Sequence, residues 1–187
     1  MRVRDARYED AQAMGIVHVD TWRSTYRGIV PDAYLDSLSH ESSGAKWRQR
    51  LMSRELGRLH LVAEADDGRI VGIAEAGFNE DQKFPSYEAQ IYTLYILKDY
   101  QHMGIGRMFM RAVAERLIEM GIEDLLVWVI SRNPSRGFYA RMGGRLLGTS
   151  TFNIHGQDIE ESAYGWDDLS VLLRSGARDQ REHLLIR

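Results

Sequence analysis

No cysteine occurs among the 187 residues of this chain. Disulfides, thiolate metal sites and a cysteine nucleophile are therefore excluded, and a reducing compartment is compatible. No charge of one sign dominates. Lys and Arg number 24 against 27 Asp and Glu, for a net charge of −3, which implies no nucleic-acid or acidic-polymer partner. No apolar run approaches membrane-spanning length. The first ten residues, MRVRDARYED, are polar and carry no signal-peptide core, so the expectation is a cytoplasmic protein with no membrane partner. Internal repeats and low-complexity segments are missing as well. The six histidines never share a short element with carboxylates at metal-ligand spacing, so no metal is expected. No Gly-x-Ser-x-Gly nucleophile elbow occurs.

What is present is a hydrophobic share of 44%, enough for one compact domain at this length. The stretch Ile91–Arg107, IYTLYILKDYQHMGIGR, organises the chain. An apolar run ends in a charged turn, and Gln101-His-Met-Gly-Ile-Gly-Arg107 then opens a helix that runs to about Met120. Ile105, Met108, Phe109, Val113 and Leu117 repeat along it at helical spacing. A helix start exposes backbone N–H groups, its dipole favours negative charge, and two glycines let a ligand approach the backbone. Strand, glycine turn and helix N-terminus together suit a phosphate. A Walker-type loop needs Gly-Lys-Ser/Thr, but Arg107-Met108 follow Gly106. A dinucleotide fingerprint needs a third glycine where Phe109 stands.

Elsewhere the pattern predicts an edge strand at Arg2–Arg4 and a helix over Glu9–Tyr26, broken by Gly28 and Pro31. A short helix follows from Pro31 to Leu38, with Pro31 in its first turn, and a third helix covers Ser42–Leu56. Leu59–Glu64 and Arg69–Phe78 form a hairpin about Asp66-Asp67-Gly68, and Asn79–Ser86 is a polar loop. Glu88–Leu97 and Asp124–Ile130 read as strands buried on both faces. They are linked through the long helix by a right-handed crossover, so they run parallel. Asn133 is expected to cap a helix beginning at Pro134 and closed by Gly143-Gly144. Arg145–Asn153 and Ile159–Trp166 complete the sheet. The fold class is therefore mixed α/β: a mostly antiparallel sheet with one central parallel pair and helices on both faces. Residues 1–173 are read as a single domain and 174–187 as a charged, mobile tail. The apolar segment Leu169–Leu173 and the last strands offer a surface for a homodimer.

Gln101-x-x-Gly104-x-Gly106 resembles the acetyl-CoA pyrophosphate loop of the GNAT superfamily of N-acetyltransferases. A second motif of that superfamily, Asn-x-x-(Ala/Ser)-x-x-x-Tyr-x-x-x-Gly-Phe or a near variant, is similar to the stretch from Asn133 to Gly144. Asn133, Tyr139 and Gly143 keep its order. The opening helices, the hairpin and the closing Tyr164-x-Trp166-Asp167 also match, so the resemblance extends from about Met1 to Leu173.

The resemblance implies transfer of an acetyl group from acetyl-CoA to a primary amine of a small molecule or protein, by direct attack in a ternary complex. Leu94, Tyr95 and Ile96 would splay from Leu125–Ile130 and take the pantetheine arm like an added strand. Behind Gln101, the N–H groups of His102, Met103, Gly104, Ile105, Gly106 and Arg107 would hold the diphosphate, with the Arg107 guanidinium suited to phosphate. Asn133, Arg136 and Tyr139 join the cofactor-binding set. Phe138, next to Tyr139, should point into the core.

Tyr139 either packs or donates a proton to the leaving thiolate; the resemblance favours the acid. Relatives often carry Glu on the central strand where this chain has Gln90, which cannot take a proton. Glu75 and Glu88 are the substitute bases, and a base acting through water, or none, stays open. Trp22 and Tyr26, in the phrase Trp22–Pro31, would form one wall of the acceptor pocket together with the loop Phe78–Ser86. A non-catalytic acyl-CoA-binding module on the same fold, or an enzyme using a longer acyl donor, are the other readings.

Overall fold

The computed structural model describes residues 1–53 and 55–174; the expected tail, from residue 175 on, lies outside them. The elements in chain order are β1 (Arg2–Asp5), α1 (Ala11–Tyr26), α2 (Asp32–Ser37), α3 (His40–Ser53), β2 (Leu59–Glu64), β3 (Ile70–Phe78), β4 (Ala89–Ile96), α4 (Ile105–Glu119), β5 (Leu125–Ile130), α5 (Gly137–Arg141), β6 (Arg145–Ile154), β7 (Gln157–Trp166) and α6 (Ser170–Arg174). The strands form one seven-stranded sheet in the order β1-β2-β3-β4-β5-β7-β6. Every neighbouring pair is antiparallel except β4 with β5, the central parallel pair.

Period-two alternation sorts the strand side chains between two helical layers. Val62 and Ile73 meet Met14 and Val17 of α1 and Trp47 of α3 on one face. Leu61, Ala63, Ala74 and Ile91 meet Ile105, Phe109, Val113 and Leu117 of α4 on the other. The apolar stripe of α4 departs from the expected one at Met108, which is only half-buried, while Met110 and Ala114 join Ile105, Phe109, Val113 and Leu117 in the core. Its C-terminus is satisfied by a Schellman pair, with Gly121 N–H bonded to the Ile118 carbonyl at 3.0 Å and Ile122 N–H to that of Leu117 at 2.9 Å. On the first face, α2 covers the far end of the sheet, where Leu35 packs with Tyr26, Ile130, Ile154 and Ile159.

Several expectations shift. Pro31 precedes α2 as its N-cap instead of sitting in its first turn. The third helix ends at Ser53, and Leu56 is 92% exposed. The apolar segment offered for self-association is used inside the chain: Leu169 and Leu172 are buried in the α4-side core. Among the described residues, no helix is long and apolar enough to cross a membrane.

Candidate active site

β4 and β5 pair at only two positions, Gln90 with Leu126 and Ile91 with Val127. Beyond them the strands part. β4 stays paired to β3 as far as Ile96, and β5 to β7 as far as Ile130, so the splay leaves backbone groups on both edges of a notch without ladder partners. β4 also carries a bulge here: Ala76 faces Ile91 but Glu75 faces Thr93, which leaves Tyr92 as the extra residue. The expectation of a strand covered on both faces fails for this half of β4, because Tyr92 and Leu94 through Ile96 are only half-buried beside an opening.

That opening is a cleft of about 990 Å³. It runs through the sheet. Its walls include Ile105, Phe138 and Tyr139 from the α4 side, and Trp22, Tyr26 and Trp128 from the α1 side. Leu94, Tyr95 and Ile96 lie between.

At one end the 101–107 loop enters α4. The Gln101 amide donates to the Ile96 carbonyl at 3.1 Å and ties the loop to the end of β4. His102 and Gly104 both adopt left-handed backbone, at φ 63 and φ 83. The first N–H bonded back into the turn is Met108, to the Gly104 carbonyl at 3.1 Å. The N–H groups of His102, Met103, Gly104, Ile105 and Gly106 make no hydrogen bond to another described residue. Gly106 also sits where space is short: a Cβ would come 3.1 Å from Phe138 Cζ. Bare amides, a helix N-terminus and a missing Cβ fit a phosphate-bearing cofactor.

Past the loop, Tyr139 of α5 is buried against Tyr164 and Trp166. Its hydroxyl has no hydrogen-bond partner among the described residues. Burial, helped by the nearby Tyr95, pushes the phenol well above the ordinary tyrosine range, so it stays protonated at neutral pH. Opposite it, Trp22, Tyr26 and Tyr95 form an aromatic wall, with Trp22–Tyr26 centroids 4.9 Å apart and Trp22–Tyr95 centroids 6.4 Å apart.

The carboxylates divide. Glu75 is buried under α3, where Arg50 donates to it at 3.1 Å and His60 Nε2 stands 3.5 Å away. Burial alone would raise its pKa; His60 and the Arg50 charge outweigh that and hold it below the usual range. Glu88 is exposed before β4, and its N–H donates to Asp124 at 2.6 Å. Neither side chain lines the cleft, whereas Gln90, Asp81 and Glu161 do.

The model of the acetyltransferase (GNAT) family matches residues 19–144. The chain belongs to the GNAT acetyltransferase family. A Bacillus subtilis protein named an uncharacterized N-acetyltransferase, YuaI, is 35% identical over 91% of this chain and 95% of its own length. A spermidine N(1)-acetyltransferase of Thermoplasma acidophilum is 24% identical over 80% of this chain and 91% of its own length. A crystal structure of a PaiA N-acetyltransferase from Thermoplasma acidophilum in complex with coenzyme A superposes with a TM-score of 0.65 at 21% identity, covering 86% of this chain and 96% of that one.

Within this GNAT fold the expected cofactor residues come together around one cleft: Leu94, Tyr95 and Ile96, the whole run Gln101–Arg107, Asn133 and Tyr139. Arg136 does not join them. It is exposed and outside the walls, and Arg141, one turn further on, lines the cleft in its place. Asn133 does not cap α5, which begins only at Gly137. Its Oδ1 accepts the Ser135 N–H at 2.8 Å and closes a turn ahead of the helix. Phe138 packs against the core but turns its ring edge to the cleft beside Gly106. The loop Phe78–Ser86, expected from the sequence in the acceptor wall, supplies Asp81; sequence reading missed Trp128, Phe152 and Glu161. No short motif joins them; only strand register does, because Glu161 pairs with Ile130, two residues from Trp128 on β5.

Proposed function

We propose that the protein transfers the acetyl group of acetyl-CoA to a primary amine by direct attack within a ternary complex. One observation carries the reading. β4 and β5 part after two paired positions, and the gap leads from bare amides at the start of α4 to an aromatic and acidic wall on the opposite face.

In this reading the N–H groups of His102–Gly106 hold the diphosphate, and Arg107 and Arg141 bring guanidinium groups to the same end of the cleft. The ladder-free edges of β4 and β5 take the pantetheine arm as an added strand. A backbone N–H on that edge binds the thioester oxygen more strongly as it gains charge. Tyr139, kept protonated by burial, donates its proton to the leaving thiolate. Trp22 and Tyr26 bound the acceptor. Gln90 cannot act as a base, and Glu75 or Glu88 would have to act through intervening water. The Thermoplasma relative named for spermidine supports an amine acceptor.

The test is release of free thiol from acetyl-CoA across a panel of primary amines, alongside calorimetry with coenzyme A. Turnover with at least one amine is expected. Failure of both turnover and cofactor binding would overturn the reading. Binding without turnover would make the protein an acyl-CoA-binding module instead.

A further inference from the structure

We propose that Asp81 and Glu161 form a subsite for a second, non-reacting ammonium group, so that the preferred acceptor is a small di- or polyamine. The proposal rests on the acetyl-transfer reading above and names its substrate class.

The cleft has ends of opposite character. Its basic side chains, His102, Arg107 and Arg141, all belong to the loop–α4 and α5 end. On the α1 face, the charged side chains among its described lining residues are Asp81 and Glu161. Asp81 is fixed in place. Trp128 Nε1 donates to its Oδ2, and its Oδ1 accepts the N–H groups of Lys83 at 2.5 Å and Phe84 at 3.3 Å. Glu161 stands opposite Ile130 on β5. Trp128 and Ile130 are two residues apart on one strand and share a face, so Asp81 and Glu161 approach the same patch of sheet.

The Glu161 carboxylate makes no hydrogen bond or ion pair with another described residue, although its backbone lies in the ladders that join β7 to β5 and β6. Its carboxyl is pushed above the usual range by burial and then by the charge of Asp81, with Lys83 opposing. Lys83 does not neutralise the pair by contact: its Nζ donates to the Thr149 carbonyl and lies 5.7 Å from the centroid of the Trp128 ring. A cation between the two carboxylates would relieve their mutual repulsion. Of the aromatic rings that also line the cleft, Tyr92 already carries Arg58 at 4.3 Å and Trp128 carries Lys83 at 5.7 Å, whereas Phe152 has no such partner among the described residues.

The α1 wall supplies an independent sign of a polar ligand. Thr21 lines the cleft at only 5% exposure, and its buried Oγ1 has no hydrogen-bond partner among the described residues. Buried hydroxyls are normally bonded, so this wall of the cleft holds a polar group that the chain leaves unsatisfied.

The pair suits the nitrogen that is not acetylated. The attacking amine must be neutral, whereas nearby carboxylates hold an ammonium in its charged form. An acceptor carrying its own carboxylate would be repelled from the same wall.

The experiment compares kcat/KM for butylamine, 1,4-diaminobutane and spermidine in the full chain and in Asp81→Asn and Glu161→Gln. The di- and polyamine should exceed butylamine by about tenfold or more, and each substitution should draw that ratio towards one. Equal use of butylamine and the diamines, or an unchanged ratio in the variants, would sink the proposal and leave acetyl transfer standing. If no amine releases thiol, the acetyl-transfer reading falls. Calorimetry of spermidine on the coenzyme A-saturated protein then decides the subsite: binding weakened by Glu161→Gln supports it, and no binding overturns it. Asp81 also holds Trp128, so thermal melts accompany both variants. If Asp81→Asn is unstable, Glu161→Gln alone decides.

Discussion

Asn133 Nδ2 donates to the Tyr26 hydroxyl at 2.9 Å, joining the turn ahead of α5 to the end of α1. The two residues come from opposite walls of the cleft. Both ends of the Asn133 amide are committed, since its Oδ1 holds the Ser135 N–H. Tyr26 is thereby fixed where the α1 wall meets the notch. Burial and then the neighbouring Tyr139 push its phenol above the ordinary range, with the Asn133 bond opposing.

Tyr26→Phe removes this acceptor and leaves the Asn133 amide, half-buried at the cleft wall, without it. The expected cost is about 0.5–1.5 kcal/mol of stability, with a raised KM for the amine. Denaturant melts and a double-mutant cycle with Asn133→Ala check it. A coupling energy near zero would mean that the bond does not hold the two walls together.

Tyr139→Phe keeps the ring packed against Tyr164 and Trp166 and removes only the proton. The expected result is a fall in kcat of about a hundredfold, with coenzyme A affinity by calorimetry nearly unchanged. Equal losses in affinity and kcat would make Tyr139 a binding residue.

The parts of the site that were legible in the sequence are those whose cause is local. Gly104 at a helix start, the periodic stripe of α4 and the apolar strands on either side of it act over a few residues, and they appear where expected except at Met108, whose place in the core Met110 and Ala114 take. The rest depends on contacts that composition does not encode. The apolar run of β4 reads like a strand buried on both faces, yet Tyr92 and Leu94 through Ile96 border an open cleft, since apolar residues serve a ligand channel as well as a core. Asn133-Pro134 has the chemistry of a helix start, but the Ser135 N–H bonds Asn133 first and the helix waits until Gly137. Leu169 and Leu172 read as a docking face and fill the chain's own core. Glu161 is on the last long strand, brought to the cleft by the register of β5 on β7, and Asp81, in the loop expected at the pocket wall, is held beside the same stretch of β5 by the Trp128 indole.

The two glycines of the loop should fail differently. At Gly104 no heavy atom lies within 4 Å of an added Cβ, but φ is +83, so Gly104→Ala costs about 1 kcal/mol through backbone strain alone. At Gly106 the obstacle is the Phe138 ring. Gly106→Ala should weaken coenzyme A binding more than it lowers Tm, and adding Phe138→Leu should restore part of that affinity. Calorimetry and thermal melts on the three variants separate the two causes. A Gly106→Ala protein with full affinity would show that this approach of the helix backbone is not needed.

His18 predicts a loss of stability on mild acidification. It lies near the rings of Trp22, centroid 6.1 Å away, and Tyr95, 5.1 Å away, and its buried Nδ1 has no hydrogen-bond partner among the described residues. Burial first, then the positive charges of Arg50 and Lys46, hold its pKa down to about 4, with Glu75 opposing. An unfolded histidine takes its proton near pH 6.5. Between about pH 6.5 and about 4 the unfolded chain therefore binds more protons than the folded one, and stability falls as the pH drops through that window. It is fully present above the window. The loss from this group is on the order of 3 kcal/mol by linkage. Asp10 and Glu75, whose pKa values are depressed, lose their contributions at lower pH. Denaturant melts from pH 8 to 4 on the wild type and on His18→Gln make the comparison. The variant should start less stable at pH 8, and its stability should decline less steeply below pH 6.5. Parallel slopes in the two proteins would show that His18 is not the group taking up the proton.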